Sequence, residues 1–343
     1  MLMIALAGCL SPIDIEISNE RAAGLLVVSG QVSNLEHRTF VDVGVTSADG
    51  RYPIPLNNIE VVLSDESGLS NQLTELTNYP GRYTADGFTG EPGKRYILQI
   101  RAEDGSIYTS EFESMPLKAG VDDLSNKFLV EEFTDYEGAF VSDARINVYS
   151  TPTIPKNGFN FIRWTTEETY LIRPTNFPDP FGYQPPDCFV TENADPQRIV
   201  LFDGRSSTGN FTKPILLCSR KIDQSFHYKH YFTIYQSSMS ESAFEYWKKV
   251  DVLANQTGSI FDSPPATIKG NLSNRSGKIV FGYFQAVNET FKRFSVVKSD
   301  LPEFASLEAY CDFSYERRPD SYPGSCLDCL SVRNSTITRP DWF

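Results

Sequence analysis

Beyond residue 24 the chain runs in short apolar stretches that alternate with polar residues and break at glycine, proline, asparagine and aspartate. Leu25-Leu26-Val27-Val28 opens the first, Phe40-Val41-Asp42-Val43-Gly44-Val45 alternates with a period of two, and residues 59–63, 81–84, 96–100 and 107–110 repeat the texture. A period of two sends successive side chains to opposite faces, so each run predicts a strand. Asp104-Gly105 separates the last two runs and predicts a tight hairpin with a type I′ turn, which needs positive φ at both central positions. Apolar residues do not recur at helical spacing here, and residues 24–116 are expected to form an immunoglobulin-like β-sandwich.

Met115-Pro116 and the polar Lys118-Ala119-Gly120 read as a boundary. The second region, residues 117–343, continues in strand-like runs at 128–130, 144–149, 160–165, 199–202, 226–235, 278–284 and 291–297. Residues 174–186 hold five prolines together with Phe177, Phe181 and Tyr183, an irregular loop that a central strand cannot accommodate. One helix is predicted over residues 240–253, where Phe244, Trp247 and Val250 recur at spacing three behind a Ser240-Glu241 start. The expected fold is mostly β: a sandwich followed by a larger β-rich domain with one short helix and a cysteine-containing tail.

The first nine residues change the picture. Leu6-Ala7-Gly8-Cys9 closes a short apolar run, the pattern that bacterial lipoprotein processing reads, in which the Cys9 thiol is acylated and the preceding peptide removed. Leu10-Ser11-Pro12 then breaks the run, and residues 10–23 read as a tether to the first domain. No later stretch approaches the roughly 20 apolar residues needed to cross a bilayer, so the expected membrane contact is through the lipid. The 31 basic and 44 acidic residues leave a formal charge of −13, with no basic cluster to meet a phosphate backbone, which argues against nucleic acid.

Export past the inner membrane permits disulfides, and five further cysteines are available: Cys188, Cys218, Cys311, Cys326 and Cys329. A Cys188 to Cys218 bridge is expected, with a second among Cys311, Cys326 and Cys329 and one thiol left over. Cys326-Leu327-Asp328-Cys329 also has zinc-ligand spacing, but one close pair falls short of the four ligands of a structural zinc.

Motifs of catalysis are missing. The chain has three histidines, of which His227 and His230 read as one strand's opposite faces, unable to share a metal. Gly-x-Ser-x-Gly, a phosphate loop and His-Glu-x-x-His do not occur. The adjacent carboxylates Asp122-Asp123, Glu131-Glu132 and Glu167-Glu168 read as solvated edges, since neighbours in a strand face apart. No cofactor or metal is expected. Aromatics, by contrast, are abundant, with 24 Phe, 17 Tyr and 3 Trp. Aromatic anchors are favoured at interfaces, which makes Phe177, Phe181, Tyr183, Tyr246 and Trp247 the candidates for partner or ligand contact.

The lipobox, Leu25-x-x-Val28-Ser29-Gly30, Gly81-x-Tyr83, Gly93-x-x-Tyr96-x-Leu98, Tyr108-x-Ser110, Gly270-Asn271-Leu272, Gly282-Tyr283-Phe284, Cys326-x-x-Cys329 and the ending Pro340-Asp341-Trp342-Phe343 recur together. In this order they resemble the Bacteroidota outer-membrane lipoproteins grouped as a domain of unknown function, family forty-two forty-nine. The resemblance implies an accessory lipoprotein of a TonB-dependent outer-membrane transporter, cell-surface facing, that binds a peptide or protein ligand or the transporter itself. It brings no catalytic residues with it. The alternatives are a surface hydrolase whose catalytic carboxylates meet only in the fold, about 5 to 9 Å apart in a cleft, and a structural subunit of an outer-membrane complex.

Overall fold

The computed structural model describes residues 24–48, 52–117, 123–134, 138–152, 161–177, 181–206, 213–255, 268–305, 307, 311–313 and 322–343. Its strands are β1 (Leu26–Ser33), β2 (Phe40–Val45), β3 (Ile54–Pro55), β4 (Glu60–Asp65), β5 (Ser70–Gln72), β6 (Thr74–Glu75), β7 (Arg82–Thr84), β8 (Arg95–Arg101), β9 (Ile107–Ser110) and β10 (Glu113–Ser114). There follow β11 (Asp123–Thr134), β12 (Phe140–Thr151), β13 (Phe161–Ile172), β14 (Cys188–Asn193), β15 (Val200–Asp203), β16 (Ile215–Lys221), β17 (His230–Met239), β18 (Leu272–Asn274), β19 (Val280–Val296) and β20 (Ser335–Thr336). The helix α1 spans Glu241–Ala254, and α2 is a single turn at Gly324–Leu327. The protein is mostly β, as the alternating pattern predicts. Among the described residues no helix is long and apolar enough to cross a membrane.

One sheet of 11 strands forms the spine, in the order β20-β14-β13-β17-β19-β1-β2-β7-β6, with β15 and β3 on its margins. Side chains at even positions of β1 and β19, among them Val28, Val32, Phe284 and Ala286, point to its back face. There they meet Val61, Leu63, Leu98 and Ile100 of the six-stranded sheet β18-β9-β8-β4-β5 to close the sandwich. Further along the same face, Ile162, Trp164, Phe232 and Ile234 meet Ile146 and Val148 of the three-stranded sheet β11-β12-β16. Two separate cores thus line one face of one sheet, each fully buried large side chain contributing about 1.5–3 kcal/mol.

The boundary expected near residue 116 does not part the chain into two independent sheets. Residues 24–116 supply most of the sandwich, but β18 pairs with β9, and the first half of β19 runs parallel to β1 from Leu26↔Val280 to Ser33↔Val287. The second half of β19 pairs with β17, from Ser238↔Asn288 to His230↔Val296. Gly282 makes the close approach possible: it sits at φ +94°, and a Cβ there would collide with the Val28 carbonyl oxygen.

The hairpin predicted at Asp104-Gly105 joins β8 to β9, but with a different turn. Gly105 alone takes positive φ, and the Gly105 N–H donates to the Ala102 carbonyl at 2.9 Å. That is a type I turn closed by a left-handed glycine, and the Asp104 carboxylate accepts from the Ser106 N–H instead of forcing its own φ positive. The helix predicted over 240–253 is α1. Ser240 caps it, its Oγ accepting from the Ala243 N–H at 3.1 Å, and Ala243 and Phe244 are buried beneath it.

Glu113 ties the sandwich to α1. Its buried carboxylate accepts from Ser240 Oγ at 2.6 Å, from Ser242 Oγ and Asn271 Nδ2 at 3.2 Å each, and from the Tyr283 hydroxyl. Burial raises its pKa, against the hydrogen bonds that favour the charged form. A carboxyl with a raised folded-state pKa lends stability at low pH that is lost as pH rises from the ordinary carboxylate range through the folded value. Urea unfolding across that window is expected to show this decline in the wild type and its loss in Glu113→Gln. An unchanged pH slope in the variant would assign the decline to another group.

Candidate functional site

Among the described residues the front face of the spine sheet carries no second sheet. Odd positions of β19 and β13 point there: Tyr283, Gln285, Glu289, Phe291 and Arg293 from one, Arg163, Thr165 and Glu167 from the other. At its centre Glu289, 1% exposed, accepts from Ser33 Oγ at 2.7 Å, Ser237 Oγ at 2.9 Å and Gln31 Nε2 at 3.3 Å. Its backbone is held too, since the Asn34 side chain donates to the Glu289 carbonyl and accepts from its N–H.

Arg38, from the turn after β1, reaches across this centre. Its Nη1 donates to Glu167 Oε1 at 3.0 Å and its Nη2 to Glu289 Oε1 at 3.2 Å, while the guanidinium lies 3.8 Å above the Tyr235 ring. Burial opposes the charge on Arg38, yet the two carboxylates raise its pKa overall. Burial raises that of Glu167, with Arg38 opposing. Two carboxylates therefore meet in the fold, but both are bound to one guanidinium, and Glu289 has its acceptor capacity filled. Glu289 thus has both oxygens engaged, and Glu167 one, its Oε1.

At the α1 end the network continues through Gln285, whose Nε2 donates to Gln31 Oε1 at 3.4 Å. Trp247 Nε1 donates to Gln285 Oε1 at 2.8 Å, and Tyr246 stacks on Tyr283 with ring centres 4.7 Å apart. The Arg163 guanidinium lies over the Trp247 ring at 3.6 Å. At the other end Arg293 lies over Trp342 at 3.5 Å and donates to Thr233 Oγ1 at 2.8 Å. The result is a stripe of arginines stacked on aromatic rings along one sheet face.

The back face holds a second polar cluster. Glu168, 2% exposed, accepts from Arg220 Nε at 2.7 Å and pairs with His230 Nε2 at 3.0 Å. Ser225 Oγ lies 3.3 Å from His230 Nδ1, which completes a serine, histidine and carboxylate trio. It is not a nucleophile's arrangement: Ser225 Oγ donates its proton to Asp223 Oδ1 at 2.7 Å, and the fully buried His230 ring is sealed between Phe226, 3.9 Å away, and Tyr170. His227 and His230 do not share a strand, since His227 closes the short 3-10 turn Gln224–Phe226 and His230 opens β17. Glu167 and Glu168 do face apart, as strand neighbours must, but each is drawn into an ion pair and neither is a solvated edge. Among the described residues no group of three His, Cys, Asp or Glu is placed to hold a metal.

Of the residues singled out from sequence, Tyr246 and Trp247 belong to the front face. Phe177, Phe181 and Tyr183 lie elsewhere, in the loop after β13, whose 12 residues at ~3.3 Å each separate its two ends by about 35 Å. Phe177 packs edge-on against Tyr183 at 6.0 Å and Phe313 at 5.0 Å, whereas Phe181 is 95% exposed and Tyr183 57%. Cys9 lies outside the described residues. Arg38, Arg163, Gln285 and Glu289 escaped the sequence reading. For the three in strands the signal is charged and amide residues that fall on one face of an otherwise apolar run, as in Tyr283-x-Gln285-x-x-x-Glu289-x-x-x-Arg293, whereas Arg38 lies in the turn after β1.

The cysteines pair differently from expectation. Cys188 bridges Cys329, and the second bridge, within the expected trio, joins Cys311 to Cys326. Cys218 is free and buried on β16, in the three-stranded sheet, while Cys188 sits on β14 of the spine, so the expected Cys188 to Cys218 bridge cannot form. Burial pushes the Cys218 thiol up to about 12, which leaves it unreactive at neutral pH.

Fold and site together define a mostly β protein with an arginine- and aromatic-lined face on a sheet shared by two cores. The profile described as Domain of unknown function (DUF4249) matches residues 11–293, and the chain belongs to that family. The match ends within β19, before the disulfide-linked tail. No curated protein and no solved structure matches the chain. Closing loops of 141 and 15 residues, the two bridges stabilise by roughly 5 and 3 kcal/mol in the chain-entropy model. Mass spectrometry of an unreduced digest is expected to recover Cys188 linked to Cys329, Cys311 linked to Cys326, and Cys218 alkylated only after denaturation. A peptide joining Cys188 to Cys218 would overturn this arrangement.

Proposed function

We propose that this chain is a lipid-anchored outer-membrane protein of Bacteroidota type that works by binding, as the accessory partner of a TonB-dependent transporter. The front face carries the reading: its carboxylates are occupied by Arg38 and neighbouring hydroxyls, while arginines stacked on Trp247 and Trp342 line it for recognition. A hydrolase would need a carboxylate or a serine with its proton free to move, and Glu289 and Ser225 are committed to protein partners while Glu167 is ion-paired to Arg38 through its Oε1. Lipidation at Cys9 keeps the protein beside integral membrane neighbours. Docking on the transporter then falls to the loop bearing Phe181 and Tyr183, which the Cys188–Cys329 bridge holds at its base.

Interface anchors of this type cost about 2 kcal/mol or more when truncated, roughly thirtyfold in affinity. Phe181→Ala with Tyr183→Ala is expected to reduce recovery of the transporter on affinity purification from membranes, and Phe181→Ala alone, which spares the Tyr183 contact with Phe177, to do so in part with an unchanged thermal melt. Phe177 is excluded from the variant because its ring packs against Phe313. Cys9→Ala is expected to move the protein from the membrane to the soluble fraction. Full transporter recovery by the double variant clears the loop of a docking role, and a membrane-bound Cys9→Ala protein removes the lipid as anchor.

A further inference from the structure

Four of the half-buried arginines among the described residues, Arg38, Arg82, Arg145 and Arg220, face a carboxylate. A fifth, Arg293, donates to Thr233 Oγ1. Arg163 differs. Its guanidinium rests on the Trp247 ring, and among the described residues its five N–H donors make no hydrogen bond or close ion pair; the Glu289 carboxylate, itself bound by Arg38, favours its charge only from further off. A partly desolvated cation without a partner opposes folding, and here burial pulls the pKa down to about 10, which still leaves it charged at neutral pH.

The surroundings hold this cation ready. Trp247 is fixed by its hydrogen bond to Gln285, Gln285 by Gln31, and Gln31 by Glu289, so the ring beneath Arg163 is the end of a chain of hydrogen bonds anchored in the sheet. Tyr246 and Tyr283 add aromatic surface beside it. Arg38, Arg163 and Arg293 share the face with Glu167 and Glu289, with the Arg82–Asp42 pair, and with Arg205 and its carboxylates Asp203, Glu241 and Glu245. These carboxylates oppose a dianionic phosphate more strongly than a monoanion. A guanidinium fork with adjacent rings matches a planar carboxylate carried on an apolar or aromatic body.

We infer that Arg163, stacked on Trp247, anchors a site for a ligand carboxylate borne by a peptide or a small organic acid. The site deepens the recognition role proposed above and rests on it. The two are tested apart, since transporter association is read by co-purification and ligand binding by titration of purified protein.

The test is calorimetric titration of the purified full chain with N-acetylphenylalanine, the pentapeptide Ala-Ala-Ala-Ala-Phe, the amide of each, and inorganic phosphate. Free acids are expected to bind at least tenfold more tightly than their amides and than phosphate. Arg163→Gln is expected to abolish the preference for acid over amide without lowering the melting temperature, and Arg163→Lys, which keeps the charge and loses the fork, to restore part of it. A pentapeptide that binds more tightly than the single residue assigns the carboxylate to a peptide, and equal binding assigns it to a small acid. Absence of acid binding at millimolar concentration, equal binding of acid and amide by the wild type, or an undiminished acid preference in Arg163→Gln overturns the proposal. Should Arg163→Gln fail to fold, the acid and amide comparison on the wild type decides alone.

Discussion

The structure depends on one strand being shared. β19 is 17 residues long, and its two halves serve different neighbours: the first lies parallel to β1 and completes the sandwich, the second lies antiparallel to β17 and completes the larger sheet. Pairing β1 with β19 joins residues 26–33 to residues 280–287, so the loop between them must close before either core is whole. Both cores then sit on the same side of the shared sheet, and among the described residues no sheet covers its other side, on which α1 packs at one end. That face can carry a site because it is underpinned along its length.

Glu289 stands where the two halves of β19 meet, and it is held from both neighbours, by Ser33 and Gln31 of β1 and by Ser237 of β17. Because side chains alternate between faces, a one-residue slip of β19 would send this carboxylate into the apolar back-face core and bring Asn288 or Thr290 forward. A buried charge in a core costs several kcal/mol, so the Glu289 and Arg38 cluster sets the register of the strand as well as building the site. Structure and recognition rest on the same residues, which explains why an ion pair that contributes little net stability sits at the centre of the fold.

Local pattern was legible in the chain, and long-range partnership was not. Period-two runs located most long strands, and the Ser240 cap with Phe244 and Trp247 located α1 within a residue of its ends. Alternation says which face a residue takes but not which strand lies beside it, so the pattern ends the sandwich at residue 116 although β18 and β19 complete it. The same gap misplaced the cysteines: Cys188 and Cys218 are near in sequence but lie in different sheets, while Cys329 is brought to Cys188 by the tail that pairs β20 with β14. At the site, Tyr246 and Trp247 were visible as aromatics on a helix. Arg163 and Glu289 were hidden because a charged residue in a strand normally signals a solvated face, and only the fold shows that this one is half covered.

Hydrogen exchange of the native protein at increasing urea tests the shared-strand account most directly. If β19 binds both cores into one unit, the slowest amides of β1 and of β17 should open with the same free energy and the same urea dependence, that of global unfolding. Amides of β13 and β17 exchanging through a smaller opening that leaves β1, β2 and β8 protected would contradict it, and would show two units that fold apart on either side of β19.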